Sequence, residues 1–309
     1  MEAVENMFED LGIDWLYPLS VSLGHIAVVF IVCHILRLVN RKLLPKSVRP
    51  YVSEVICMYH LTACVFENGM VVAPRYGVSA FATLLFCCAI GFGLTFDGHG
   101  NPCSILNDFL QKRTSLLTTV CKTAFNVLGG FIALLHLKSI WSIGILEHHM
   151  EIIETQATQQ CPSAMQTTMA LGMMAEFSAT MVIRFQAGFE FGGKNFAGIV
   201  FAILVVSFTL AGAQYTGMFL NPALATAFTF NCADHPVYEH LLVYWVAPYL
   251  ATILVFFIVK YMKKTPKRRR GGGKSKQNGV PKQKVQKNGI VKEEGKSEGK
   301  GKKKARKRY

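Results

Sequence analysis

Two Asn-Pro pairs, Asn101–Pro102 and Asn221–Pro222, carry the most specific chemistry in this 309-residue chain. Each opens a ten-residue, mainly apolar stretch, NPCSILNDFL and NPALATAFTF, with glycines just ahead of it. Asn is a preferred helix N-cap, and Pro at the first helical position gives up no donor that the helix needs. Each pair therefore predicts a helix start, with unpaired N–H groups and the positive end of the helix dipole at the Asn. Ten helical residues rise only about 15 Å, half of the roughly 30 Å of bilayer hydrocarbon. Such stretches suit re-entrant half-helices, whose non-helical approach is tolerated where it is buried in protein or lines water. Two of them entering from opposite faces point their N-termini at each other. The gap between them repels cations and protons and offers Asn amide donors to water or a hydroxylated solute. One Asn-Pro is an ordinary turn; a pair, each opening the same kind of stretch, is a different signal.

Glu54 precedes Asn101 by 47 positions and Glu176 precedes Asn221 by 45, each inside an apolar block. A carboxyl there is either a reacting acid or base or a buried structural group. The paired placement favours support of the two box loops. His99, two residues before Asn101, reads as a polar loop residue rather than a proton gate. His148 and His149 have no further Cys/His cluster nearby, so no metal or cofactor is called for. Of the nine cysteines, Cys33, Cys57, Cys64, Cys87, Cys88 and Cys121 read as small packing residues. Cys103 sits one residue beyond Pro102, where a helix N-terminus acidifies a thiol, and packing and pore-facing roles compete. Cys161 and Cys232 fall in two loops on the predicted non-cytosolic side, where a disulfide is permitted.

The elements that hold these groups are apolar blocks of membrane-spanning length. Seven are predicted: Leu16–Val39, Pro50–Val72, Gly77–Phe96, Ser115–Leu137, Met165–Phe185, Phe196–Ala213 and His240–Met262. The span from Pro50 is the least regular, since it holds Glu54, His60 and Glu67. Boxes and glutamates divide the chain into inverted repeats at 50–137 and 165–262, as in transport folds with a midplane site. Together these make a channel domain over 50–262, with 16–39 as an extra leading helix. The start of the chain lacks the positive charge of a cleavable signal, so this helix is expected to be retained.

Charge is segregated. Residues 263–309 hold 20 of the 33 Lys and Arg and 3 of the 19 Asp and Glu, a net of +17 that leaves −3 for the rest. This polybasic tail has too few apolar residues to fold and is expected to be disordered and to attract anionic lipid headgroups. Seven spans argue against a nucleic-acid partner. Lys and Arg concentrate in cytosolic loops. Arg37, Arg41, Lys42, Lys46 and Arg49, then Lys112 and Arg113, then Arg184 and Lys194, together with the tail, place those connections in the cytosol, including a basic loop at 40–49. The acidic residues 1–15 and the segment Glu147–Ser163 fall on the lumenal side; Arg75 is the exception.

Between Val52 and Met262 the chain resembles the aquaporin family: AEFSAT around Glu176, YTGMFLNPA over Tyr215–Ala223 and VYWVAP over Val243–Pro248 match its helix signatures. The first box with Cys103, IWSIGI at Ile140–Ile145, the box Asn221–Pro222–Ala223 and Cys232 eleven residues after Asn221 resemble the unorthodox aquaporin-11/12 subfamily. The resemblance implies an all-α membrane protein, with six transmembrane helices and two half-helices per pore, assembled as a homotetramer. Ordinary members carry Arg where this chain has Leu224. The other constriction positions map to Met218, Thr209 and Phe81, a ring without fixed charge. The implied activity is passive passage of water and small neutral solutes, glycerol and hydrogen peroxide among them, with no enzymatic role. Arg306 and Lys307 resemble a dibasic retrieval signal of the endoplasmic reticulum. The competing readings are a seven-helix receptor, which lacks an Asp-Arg-Tyr after the third span, an intramembrane enzyme using Glu54 or Glu176, and a non-conducting scaffold acting through the basic tail.

Overall fold

The computed structural model describes residue 8 and residues 11–158, 161–189 and 193–264, the side chains at 156, 158, 194 and 195 excepted. Most of the acidic start and the tail from residue 265, with Arg306 and Lys307, lie outside the described residues.

The described chain is all helix, without strands. In order come α1 (Leu16–Leu43), α2 (Arg49–Glu67, running on through a π turn at Asn68–Val72), α3 (Ala73–Thr95), α4 (Pro102–Leu110), α5 (Leu116–Trp141) and α6 (Glu147–Thr158). They are followed by α7 (Met169–Phe189), α8 (Lys194–Thr216), α9 (Pro222–Thr229), α10 (Val237–Leu241, continued by a π turn at Leu242–Val246) and α11 (Ala247–Lys264). By length and composition five helical stretches among the described residues qualify as membrane spans: Leu16–Leu43, Arg49–Thr95, Leu116–Trp141, Phe196–Thr216 and Val237–Lys264. The second is 47 residues long and is broken at Gly77 (φ 77°, ψ −177°), a backbone state open to glycine. It therefore supplies two passes. With α7, which is less apolar because it carries Glu176, Arg184 and Gln186, there are seven. The half-helices α4 and α9, of nine and eight residues, do not cross.

The two repeats pack alike and into each other. α2 lies along α5 and α7 along α11, while half-helix α9 rests on α5 and half-helix α4 on α11. Each short helix is thus backed by a long helix of the other repeat. Glycine makes the closest of these approaches possible: a Cβ on Gly129 of α5 would run into the Val55 carbonyl of α2, and one on Gly130 would stand 3.2 Å from Ala227 Cβ in α9.

Helix α1 buries one stripe, Ser22, Ile26, Val29, Cys33, Arg37 and Asn40, at steps of three or four. This is the seam that a helix presents to one partner. The opposite face shows Leu23, Val28, Ile31, Val32 and Ile35 to the surroundings, as a lipid-facing helix does. Two basic residues expected in loops lie elsewhere. Arg37 is inside α1 and fully buried, and Arg184 is inside α7. Each guanidinium finds partners within the protein, so neither informs the orientation rule. The connection between α5 and α7 also contains a helix, α6, that hydropathy does not mark.

Candidate pore site

Asn101 and Asn221 each adopt extended backbone (φ −158° and −151°) and cap the half-helix that follows. The Asn101 Oδ1 accepts from Cys103 N at 2.9 Å; the Asn221 Oδ1 accepts from Ala223 N at 3.1 Å and Leu224 N at 3.4 Å. The amide nitrogens cross over. Asn101 Nδ2 donates to the Leu220 carbonyl at 3.0 Å, and Asn221 Nδ2 donates to the Gly100 carbonyl at 2.8 Å. Each box is therefore fastened to the residue just before the other box. An Asn amide has two N–H donors: after the crossover one remains on Asn101, while Asn221 Nδ2 also reaches the weak acceptor Met58 Sδ at 3.8 Å.

The glutamates hold the backbone that leads into these caps. Glu54 accepts from the amides of His99 (3.1 and 3.2 Å) and Gly100 (3.2 Å). Glu176 accepts from the amides of Phe219 and Leu220, both at 3.1 Å, and from Thr216 Oγ1 at 3.0 Å. In both repeats the carboxyl grips the amides two and one residues before the Asn. The residue just before the Asn is left-handed in each case, Gly100 (φ 59°) and Leu220 (φ 55°). Glu54 is further bonded by Asn126 Nδ2 at 3.2 Å and by His99 Nδ1 at 2.6 Å, while His99 Nε2 reaches Asp108 at 3.0 Å. Burial disfavours the charged imidazole, but the Glu54 hydrogen bond and charge outweigh it and raise the His99 pKa.

The remaining sequence-derived residues are distributed as follows. Pro102, Cys103, Pro222 and Ala223 are buried in the first turns of the half-helices; Cys103 has no exposed surface. Leu224 packs on Met58 and Ala223, with Phe219 and Phe228 alongside. Met218 belongs to a second apolar group, with Ala179, Ile183 and Leu220. Phe81 and Thr209 are half-buried, and the Phe81 carbonyl accepts from Asn68 Nδ2. The four constriction residues thus do not form a single packed cluster. Cys161 and Cys232 are joined in a disulfide, with Cα atoms 4.9 Å apart.

Three buried polar clusters escaped sequence reasoning. Glu67 receives Ser22 Oγ (2.7 Å), His25 Nδ1 (3.1 Å) and Trp141 Nε1 (2.9 Å) and stands 3.5 Å from His149 Nε2, tying α1, α5 and α6 to one carboxyl. Arg37 reaches His60 Nδ1 at 3.0 Å and Asp97 at 3.5 Å, linking α1 to the first box loop. Arg184 Nη1 donates to Ser104 Oγ at 2.8 Å. The signal present in sequence was the charge itself, since an ionisable residue inside an apolar helix implies an internal partner.

Opposed, cross-fastened half-helices within a bundle of spanning helices define a membrane channel, and the comparisons agree. The "Major intrinsic protein" family description matches residues 70–259; the chain belongs to this family, whose members are channels rather than enzymes. Within it the chain falls in the unorthodox aquaporin subgroup. It is 29% identical over 247 residues to "Aquaporin-11" of Milnesium tardigradum, covering 79% of this chain and 88% of that one. To "Aquaporin-12" of Mus musculus it is 27% identical over 248 residues, covering 78% and 85%.

Proposed function

We propose that this channel passes water and small neutral solutes, glycerol and hydrogen peroxide included, between the Asn101 and Asn221 amides. The observation that carries the reading is the crossover of the two asparagines. It fixes both helix N-termini at one level and leaves a donor on Asn101 for a passing oxygen, with the second Asn221 donor held only by the weak acceptor Met58 Sδ. The opposed dipoles disfavour cations there. Leu224, buried among Met58, Phe219 and Phe228, supplies no guanidinium at the second box, and with Phe81, Thr209 and Met218 it makes a weakly polar outer constriction suited to solutes larger than water. The same reading places the protein as a homotetramer in the endoplasmic reticulum or another intracellular membrane, N-terminus lumenal and C-terminus cytosolic, with the tail against anionic headgroups.

The test is stopped-flow swelling of proteoliposomes under water, glycerol and peroxide gradients, comparing the native chain with Asn221→Asp and Leu224→Arg. Native vesicles are expected to exceed empty ones for water and glycerol. Asn221→Asp should lower both fluxes, and Leu224→Arg should lower glycerol flux while sparing water. Native and empty vesicles that swell at equal rates refute conduction.

A further inference from the structure

A cavity of about 390 Å³ opens at the end of the molecule where α4, α7 and α11 meet. Four cationic side chains line it, Arg113, Arg184, Lys260 and Lys263, with the amides of Asn107 and Gln111, and no carboxylate. Arg113 is already paired with Asp108 at 3.2 Å. The other three have no acidic partner among the described residues. Lys260 and Lys263 rest their ammonium groups over the rings of Phe256 and Phe189, at 5.3 and 5.9 Å, which holds both at the rim. Arg184 reaches in from α7. Its Nη1 is bound to Ser104, and its Nε is sealed from solvent without a hydrogen-bond partner. Val255 and Val259 form an apolar side, which raises the strength of any charge pairing made beside it.

We propose that this cavity is a binding site for a phosphate-bearing anion, with Arg184 at its base and Lys260 and Lys263 at its rim. Planar guanidinium and paired ammonium groups match the several oxygens of a phosphate better than they match a monatomic ion. The phosphate comes either from a lipid headgroup, whose acyl chains would follow the apolar wall, or from a soluble ion. Because Arg184 holds Ser104, three positions after Asn101, the occupant sits one side chain away from the first box.

The full-length protein in neutral phosphatidylcholine nanodiscs separates these sources. Binding is measured by calorimetry with inorganic phosphate and, in parallel, with a short-chain phosphatidylinositol phosphate. Three variants accompany the native chain: Arg184→Gln, Lys260→Gln with Lys263→Gln, and a tail control of Arg268→Gln, Arg269→Gln and Arg270→Gln. Lys260 and Lys263 are exposed, so their variant keeps the fold even where Arg184→Gln does not. At least one probe is expected to bind, with affinity lowered about tenfold or more by the lysine pair, the equivalent of one charge-assisted hydrogen bond, and unchanged by the tail control. Binding of the lipid alone assigns the headgroup as the source; binding of both assigns the phosphate itself. Failure of both probes to bind, or a loss of binding that follows the tail variant and not the lysine pair, overturns the site.

Discussion

Glu176→Gln isolates the backbone clamp of the second box. The carboxyl takes three donors, Thr216 Oγ1, Phe219 N and Leu220 N. Glutamine has the same length but offers a single acceptor oxygen. Whichever way its amide turns, an NH2 group faces a backbone N–H, leaving the amide of either Phe219 or Leu220 without an acceptor. Glu176 and Leu220 are both buried, so the orphaned donor costs about 1–3 kcal/mol. At roughly 2–4 °C per kcal/mol for a chain of this size, a central loss of about 2 kcal/mol lowers the unfolding temperature by about 4–8 °C. Leu220 also presents the carbonyl that receives Asn101, so the same change loosens the crossover and reduces permeability. Thr216→Val makes a comparison: it leaves the Phe219 and Leu220 amides satisfied but removes the hydroxyl that accepts from Met218 N at 3.2 Å, so it too orphans one donor, at about 1–3 kcal/mol, away from the Leu220 carbonyl that holds Asn101. Thermal unfolding in detergent and stopped-flow swelling read the two effects. If Glu176→Gln matches the native protein in both, the clamp does not work as described.

Gly129→Leu, whose side chain would collide with the Val55 backbone, should part α5 from α2 at a cost of about 1–3 kcal/mol, read as a lowered unfolding temperature and a shifted elution profile; a native profile would contradict the packing. The Cys161–Cys232 disulfide spans 71 positions, for which chain entropy gives about 4 kcal/mol, so Cys161→Ser with Cys232→Ser should be destabilised. Both thiols should resist alkylation until a reductant is added, and labelling without one would disprove the bond. His99 faces Glu54, Asp108 and Lys122 and has a raised pKa in the folded protein. Its contribution is complete below the unfolded value of about 6.5 and is lost as pH rises through the elevated folded value. His99→Asn should flatten the change in unfolding temperature over that window, and an unaltered slope would remove His99 from the clamp.

How far sequence carried the reading depends on whether the physics was local. Asn101 and Asn221 were readable because capping is a property of an Asn-Pro and the few residues after it. Glu54 and Glu176 were readable because a duplicated chain repeats its spacings. Arg37 and Arg184 were misplaced because the rule that Lys and Arg gather in cytosolic connections assumes that a charge near the end of a span faces water, whereas His60, Asp97 and Ser104 receive these guanidinium groups inside the protein. The Glu67 cluster was out of reach for a different reason. Glu67 itself was an evident anomaly, but Ser22, Trp141 and His149 come from remote parts of the chain, and no local pattern brings them together. Helix α6 was missed because its mixed polar sequence, EHHMEIIETQAT, has too few apolar residues to mark it, and it is anchored through buried His149 and through Ile152 and Ile153 against Tyr17, Leu137 and Trp141.

The crossover of the two asparagines also sets the order in which the molecule can be completed. Its hydrogen bonds join residues 119 and 121 positions apart, among the most distant pairings in the chain. Such pairings form late, since every intervening segment must be in place before their ends meet. A first repeat that has just emerged holds Asn101 with its donor aimed at a carbonyl not yet made. Until the second repeat arrives, Asn101 caps α4 through its Oδ1 while its Nδ2 lacks the Leu220 carbonyl. The facing pair of boxes is therefore the product of the whole chain, set only when the second repeat has docked on the first.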